Sequence, residues 1–283
     1  PDARRASKAQ GDDDAFPLFV AAQFNHVEAA RLLIAAGARQ EETMNNGQAA
    51  ISCAALYGHW EIVALLAESR PDLVDFVGVD EWTGQSTGTP LIAAAGAGEP
   101  YAGQIKAQLA MLPPAQRKST HVARPSEDEA DYAKVIWTLV EHGADVNARE
   151  TDGRTALMVA AMNGKSLIVD ALLGEGADPN IVAYDGMAPL TWACEKGHEA
   201  IARVLVNHES CNCDARTSSG GTAAIFATYH GKTKALAAVA ESGRCDLDAV
   251  DGSGEAAVHI AAYNNRWRML KILAMNGADI DKG

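Results

Sequence analysis

Apolar and small residues recur along this chain on one long period. A core-type apolar position reads Leu18, Ile51, Leu91, Leu157, Leu190, Ala224 and Val258, in steps of 33, 40, 66, 33, 34 and 34 residues. Three residues after it stands a pair of small side chains: Ala21-Ala22, Ala54-Ala55, Ala94-Ala95, Ala160-Ala161 and Ala261-Ala262. Such a period marks a supersecondary unit that cannot bury its apolar face alone, so that neighbours must stack into one continuous core. The alanine pairs keep one helical face thin enough for close stacking. Pro17, Pro90 and Pro189 suit a first helical turn, where the amide they lack would have had no partner. Thr89 and Thr155 are placed to cap the amides of that turn. Gly37, Gly143, Gly176 and Gly277 stand where second helices end, a place that calls for a left-handed residue.

The segment Asp152-Gly153-Arg154-Thr155-Ala156-Leu157 stands where ankyrin repeats carry D-x-G-x-T-P-L, and Thr89-Pro90-Leu91 and Ala188-Pro189-Leu190 keep the proline. Leu139-Val140-Glu141-His142-Gly143-Ala144-Asp145-Val146-Asn147 is close to the family's second-helix ending. Gly176-Ala177-Asp178-Pro179-Asn180 and Gly277-Ala278-Asp279-Ile280-Asp281 repeat that ending. The chain thus resembles the ankyrin-repeat family over nearly all of residues 12–281. The resemblance implies an all-α solenoid of stacked helix-turn-helix units with hairpin-like fingers. It gives a tail over 1–11 and seven repeats near 12–42, 43–76, 77–149, 150–181, 182–215, 216–249 and 250–283.

Two spacings break the period, and both fall on the third repeat. The step of 40 puts extra residues into Val77–Gly88, a long finger carrying Trp82, and the step of 66 leaves a surplus over 99–130. Tyr101–Leu112 can form a helix, but Pro113-Pro114 ends it and no turn or Ala-Ala element follows, so an insertion is preferred to a degenerate repeat. The polar stretch Gln116–Pro125 suits an exposed loop. Ser126-Glu127-Asp128-Glu129 fits a capping box, with Ser126 capping and Glu129 reaching back, and predicts a helix from near Glu127 to His142. Phosphorylation of Ser126 or Ser119 is the functional alternative.

Composition narrows the function. Nearly half the residues are apolar (48%), enough core for every unit, and the net charge of −13 argues against general nucleic-acid binding. No apolar run approaches the roughly 20 residues of a membrane span. Five cysteines (Cys53, Cys194, Cys211, Cys213 and Cys245) and no N-glycosylation sequon suggest a reducing, intracellular and cytoplasmic setting. The chain opens on Pro1 with no leader in view and no initiator Met, which reads as a fragment or a processed chain.

Apparent catalytic motifs fail on context. Gly84-Gln-Ser86-Thr-Gly88 matches a nucleophile elbow by letters but lies in a finger. Gly164-Lys165-Ser166 and Gly231-Lys232-Thr233 lack the upstream glycine of a phosphate loop, with Val159 and Phe226 in its place. His208, Cys211 and Cys213, with His230 and Cys245 nearby, lack the usual spacing of a zinc site and read as finger residues. Cys53 and Cys194 read as small core hydrophobes. No catalytic residue, cofactor or metal is called for.

What remains is a surface. The resemblance implies that fingers and first helices build a concave face where partners bind. The two positions after each alanine pair should face it: Phe24, Tyr57, Met162, Asn163, Glu195, Lys196, Tyr229, His230, Tyr263 and Asn264, with Trp82 on the long finger. Large aromatic groups there are not required by stacking and are enriched at interface hot spots, although each could instead pack on neighbouring first helices. The expected function is a non-enzymatic scaffold, itself monomeric, that binds a partner protein segment on this face. The acid balance favours a basic or amphipathic segment. The alternative is a regulatory segment of a larger enzyme or channel whose activity lies elsewhere. Ala224 and Thr228 predict looser packing in the sixth repeat and easier opening toward the C-terminal units. Asn147 is expected in an exposed hairpin as a turn residue bonding local backbone; the resemblance offers asparaginyl hydroxylation as the other reading.

Overall fold

In the computed structural model the described residues are 16–80, 86–96, 126 and 128–281. The expectations that fall on Trp82, Gly84, Tyr101–Leu112, Gln116–Pro125, Ser119 and Glu127 therefore lie outside them.

Helices alternate as first and second members of successive pairs. The first members are α1 (Pro17–Gln23), α3 (Ala50–Tyr57), α5 (Pro90–Ala95), α7 (Ala156–Asn163), α9 (Pro189–Lys196), α11 (Ala223–Tyr229) and α13 (Ala257–Tyr263). The second members are α2 (Val27–Ala35), α4 (Trp60–Ser69), α6 (Glu129–Glu141), α8 (Ser166–Gly174), α10 (Glu199–Asn207), α12 (Thr233–Glu241) and α14 (Trp267–Met275). Each first helix packs on the next first helix and each second helix on the next second helix, giving two layers. The only strand-like pairing among the described residues is four isolated antiparallel bridges at the fingers, Thr43 with Ala49, Val79 with Ser86, Arg149 with Thr155 and Val250 with Ala256. The fold is an all-α stack of helix pairs.

The stacking follows from side-chain size. Ala22, Ala54, Ala55, Ala94, Ala95, Ala160 and Ala161 are fully buried between first helices. Leu91, Leu157, Ile62, Ile136, Leu172 and Leu205 fill the space between the layers. Thr89 accepts a hydrogen bond from the Ile92 amide at 3.3 Å, and Pro17, Pro90 and Pro189 sit at the first helical turn. The second-helix endings at Gly37, Gly143, Gly176 and Gly277 all have positive φ, from +81° to +95°.

A ladder of short polar side chains ties unit to unit at the far end of the second helices. Asp145, Asp178, Asn212, Asp246 and Asp279 each donate a backbone N–H to the side chain of Asp75, Asn147, Asn180, Asp214 and Asp248 in the preceding unit, over 2.7–2.9 Å. Asn147 does lie in a turn, but its side-chain oxygen accepts from the Asp178 amide of the next unit and not from its own local backbone as expected. Asn147→Ala should cost about 1 kcal/mol, the usual net worth of one such bond. Urea unfolding would measure it, and exchange of the Asp178 amide should quicken in the variant.

The third pair departs from expectation at its start. Asp128, not Ser126, caps α6, accepting from the Ala130 amide at 2.9 Å. Ser126 is committed elsewhere: its N–H donates to the Tyr57 carbonyl at 2.8 Å and its hydroxyl to Asp131 at 2.7 Å. Glu129 does not reach back but accepts from the Leu167 amide of the next pair at 3.3 Å. The helix consequently begins at Glu129 and ends at Glu141. Tyr132, almost wholly buried, then crosses to the second pair and donates to the Leu56 carbonyl.

His59 sits at the turn between α3 and α4 with Nδ1 2.8 Å from the Ala22 carbonyl. Burial pushes its pKa below the ordinary 6.5, against smaller upward pulls from that carbonyl and from Asp131. Below pH 6.5 the unfolded chain then binds more protons at this residue than the folded one, so acidification through that range removes stability. Urea midpoints should fall between about pH 7.5 and pH 5.5, and His59→Gln should make the fall shallower.

Candidate binding face

Aligning the first helices on the core position places equivalent side chains side by side, and three registers reach the outer face of that layer. Two residues after the core position stand Val20, Cys53, Ala93, Val159, Trp192, Phe226 and Ile260. Five and six residues after it come the pairs anticipated from the sequence. In the second unit these registers are closed, while Val20, Phe24 and Ala93 of its neighbours are half-buried. All eight residues of α3 are buried.

Tyr57 is 7% exposed, packed with Phe19, Cys53 and Leu56 and flanked by Phe16, Phe24, Met44 and Ala93. The expectation that Tyr57 faces solvent is therefore corrected. The reason is local: its ring stacks on His59 at 5.8 Å, and the aromatic and sulfur side chains of the first two units close over it. Phe24 is half-buried against the same cluster and stacks on His26 at 6.0 Å.

In the C-terminal half Val159 and Ile260 are buried, but Lys196, Tyr229, His230, Tyr263 and Asn264 are exposed. Met162 and Asn163 are half-buried, and the Met162 carbonyl lies 3.1 Å from Nε2 of His198. Glu195 pairs with Lys196 at 2.8 Å, and the same ammonium lies 5.2 Å from the centroid of Trp192. Tyr229 is 64% exposed and Tyr263 91%. His230 is exposed and bridges two rings, stacking on Phe226 at 6.2 Å and meeting Tyr229 edge-on at 5.2 Å. Asn264 closes α13 and donates to the Ile260 carbonyl at 2.8 Å. The turn beneath is held by Arg266, which donates to the carbonyls of Thr228 and Tyr229.

Three groups on or beside this face escaped the sequence reading. Trp192 and Phe226 occupy a register filled by Cys53, Ala93 and Val159 in earlier units, so a column-by-column comparison would have flagged them as oversized. The indole N–H of Trp192 is buried without an acceptor among the described residues. Tyr184, 73% exposed at a finger, lies under the Arg149 guanidinium at 5.5 Å, and that guanidinium also donates to the Val182 carbonyl at 2.6 Å. Single finger residues have no periodic signal to betray them.

The other candidate chemistry is structural where it is described. Ser86 pairs with Val79 in a bridge, and its hydroxyl accepts from the Gly88 amide at 3.2 Å, which is hairpin geometry. Gly164 and Gly231 turn the chain between paired helices with φ of +76° and +69°. Cys211 and Cys213 are buried in the core, and burial pushes the Cys211 thiol up to about 12. His208 is engaged with Ser210 at 3.0 Å. Among the described residues no three His, Cys, Asp or Glu side chains are grouped to hold a metal, and no helix is long and apolar enough to cross a membrane. Thr228, the polar substitute in the sixth alanine pair, is fully buried with its hydroxyl donating to the Ala224 carbonyl at 2.8 Å.

A family model described as ankyrin repeats matches three stretches, residues 3–76, 126–217 and 209–283, most of the chain. Among curated proteins the chain is similar to ankyrin repeat domain-containing protein 63 of Homo sapiens, 38% identical over 79 residues, covering 28% of this chain and 21% of that one. It is similar to the serine/threonine-protein kinase TNNI3K of Rattus norvegicus, 34% identical over 100 residues, covering 31% of this chain and 12% of the kinase. It is also similar to the mitochondrial disaggregase of Bos taurus, 50% identical over 52 residues, covering 18% of this chain and 8% of that protein. The chain thus matches about a fifth or less of the length of each of these relatives.

Proposed function

The chain belongs to the ankyrin-repeat family, and from that premise we propose that it is a non-enzymatic scaffold that binds a segment of a partner protein on its first-helix face. The observation that carries this reading is the open row on the last three units: Trp192 with Glu195 and Lys196, Phe226 with Tyr229 and His230, then Tyr263 and Asn264. Tyr229, with a unit on each side, is 64% exposed, so packing of the stack does not account for it, and Tyr263 is 91% exposed. Large rings bury much area at low entropy cost, which is why they dominate interface hot spots. Rings interleaved with a His, a Lys–Glu pair and an Asn suit an amphipathic segment; the −13 net charge favours one with basic residues along the acidic fingers. The five cysteines among the described residues are free, in keeping with an intracellular, cytoplasmic location.

A photoreactive phenylalanine analogue at Phe226 or Tyr263 should cross-link to the partner in cells. The same group at Trp137, exposed on the second-helix layer, should not. Equal yields from both layers would sink the reading. The resemblance to part of a kinase supports a second reading, in which this segment regulates an enzyme of which it is one part. The full-length reading frame would distinguish the two.

A further inference from the structure

The turns joining the two helices of each unit line up along one edge of the stack, and the charge of that edge reverses from end to end. At the second position of the second helix stand Glu28 and Glu61 in the first two units, and Lys234 and Arg268 in the last two, all exposed. The capping position is basic in the last two units as well, with Lys232 and Arg266. A helix N-terminus carries the positive end of the helix dipole and favours carboxylates. Glu28, Glu61, Glu129 and Glu199 supply them to α2, α4, α6 and α10. Helices α12 and α14 have no acidic residue in the first turn and place Lys or Arg there instead. Helix stability therefore does not account for these cations.

The basic turns stack on one another. Arg266 reaches back to the Tyr229 carbonyl at 2.8 Å, and Lys232 lies against Gly197 of the preceding turn. Lys234 is 84% exposed, with Glu199 at 3.9 Å as its ion-pair contact. Arg268 and Lys271 are exposed one turn apart on α14, and the Arg268 guanidinium lies 5.1 Å from the centroid of Trp267, itself 62% exposed. Residues 223–240 and 256–278 contain no carboxylate at all. In a chain of net charge −13 this is a basic patch with an aromatic ring beside Arg268.

We infer that this edge of the last two units is a docking surface for a short acidic peptide segment of a partner protein. Its carboxylates meet Lys234, Arg268 and Lys271, and an apolar side chain lies on Trp267. Charge complementarity selects the occupant, because the surrounding negative surface repels a long polyanion while a stretch spanning two units meets only the basic patch. A polynucleotide needs a far denser array of Lys and Arg. The edge is distinct from the first-helix face, so the two readings stand or fall separately.

The test uses the whole chain and a fluorescein-labelled peptide of mixed glutamate and leucine, followed by anisotropy at several salt concentrations. Binding should be saturable and should weaken as salt rises. Lys234→Glu with Arg268→Glu should weaken it at least about tenfold, whereas the same charge change at Arg31 and Arg39 in the first unit should stay within about twofold. Trp267→Ala, which leaves the charge unchanged, should weaken it several-fold. Absence of saturable binding would overturn the inference, as would equal losses in the two charge-reversal pairs or tighter binding of an oligothymidylate at the same salt.

Discussion

Leu157→Ala should lower the unfolding free energy by about 3 kcal/mol, within the range for a large-to-small change in a well-packed core. Leu157 has no solvent exposure and lies on α7, which packs on α5, α9 and α8. Alanine there leaves a cavity whose walls are held by three other helices and cannot collapse onto it. Because each unit is stabilised chiefly by its neighbours, the loss should spread to the interfaces on both sides. Urea denaturation followed by circular dichroism measures it. A shift of the midpoint worth under about 1 kcal/mol would mean that the site relaxes and that the stack is less continuous than the burial implies.

Tyr57→Ala should be comparably damaging, at about 3–4 kcal/mol, in the range for removing a buried aromatic side chain. On sequence grounds this side chain was expected at the binding face. Its burial against Phe19, Cys53 and Leu56 makes it part of the stack instead. The consequence separates it from Tyr229, whose truncation exposes no core. Thermal melts of the two variants should differ clearly: a large drop for Tyr57→Ala, almost none for Tyr229→Ala. Equal melts would mean that the N-terminal cluster does not close over Tyr57.

The recurrence of Leu18, Ile51, Leu91, Leu157, Leu190, Ala224 and Val258 made the stack legible, since a periodic core position and a thin Ala-Ala face have few other uses. Turn glycines and capping threonines located the helix ends for the same reason. The start of α6 was misread because Ser126 and Asp128 both cap well in isolation. The choice between them is made by Asp131, five residues on, and by the Tyr57 carbonyl, a contact with the preceding unit that local sequence does not reveal. The face was legible as a set of registers but not as a pattern of exposure. Whether Tyr57 or Tyr263 is open depends on what the neighbouring unit places beside it. Phe16, Phe24 and Met44 close over the first, while the second is 91% exposed. The oversized Trp192 and Phe226 were in plain view, and only comparison down the column shows that they exceed what stacking needs.

The central claim is that the last three units bind a partner protein through their first-helix face. Its most direct test is the affinity of that partner, once captured by cross-linking, for the parent chain and for Tyr229→Ala with Tyr263→Ala. Each truncation of a true anchor costs about 2 kcal/mol, roughly 30-fold. The double variant should therefore bind at least a hundredfold more weakly, on the order of two truncations combined, while its thermal midpoint stays that of the parent. Unchanged affinity in a folded double variant would contradict the account.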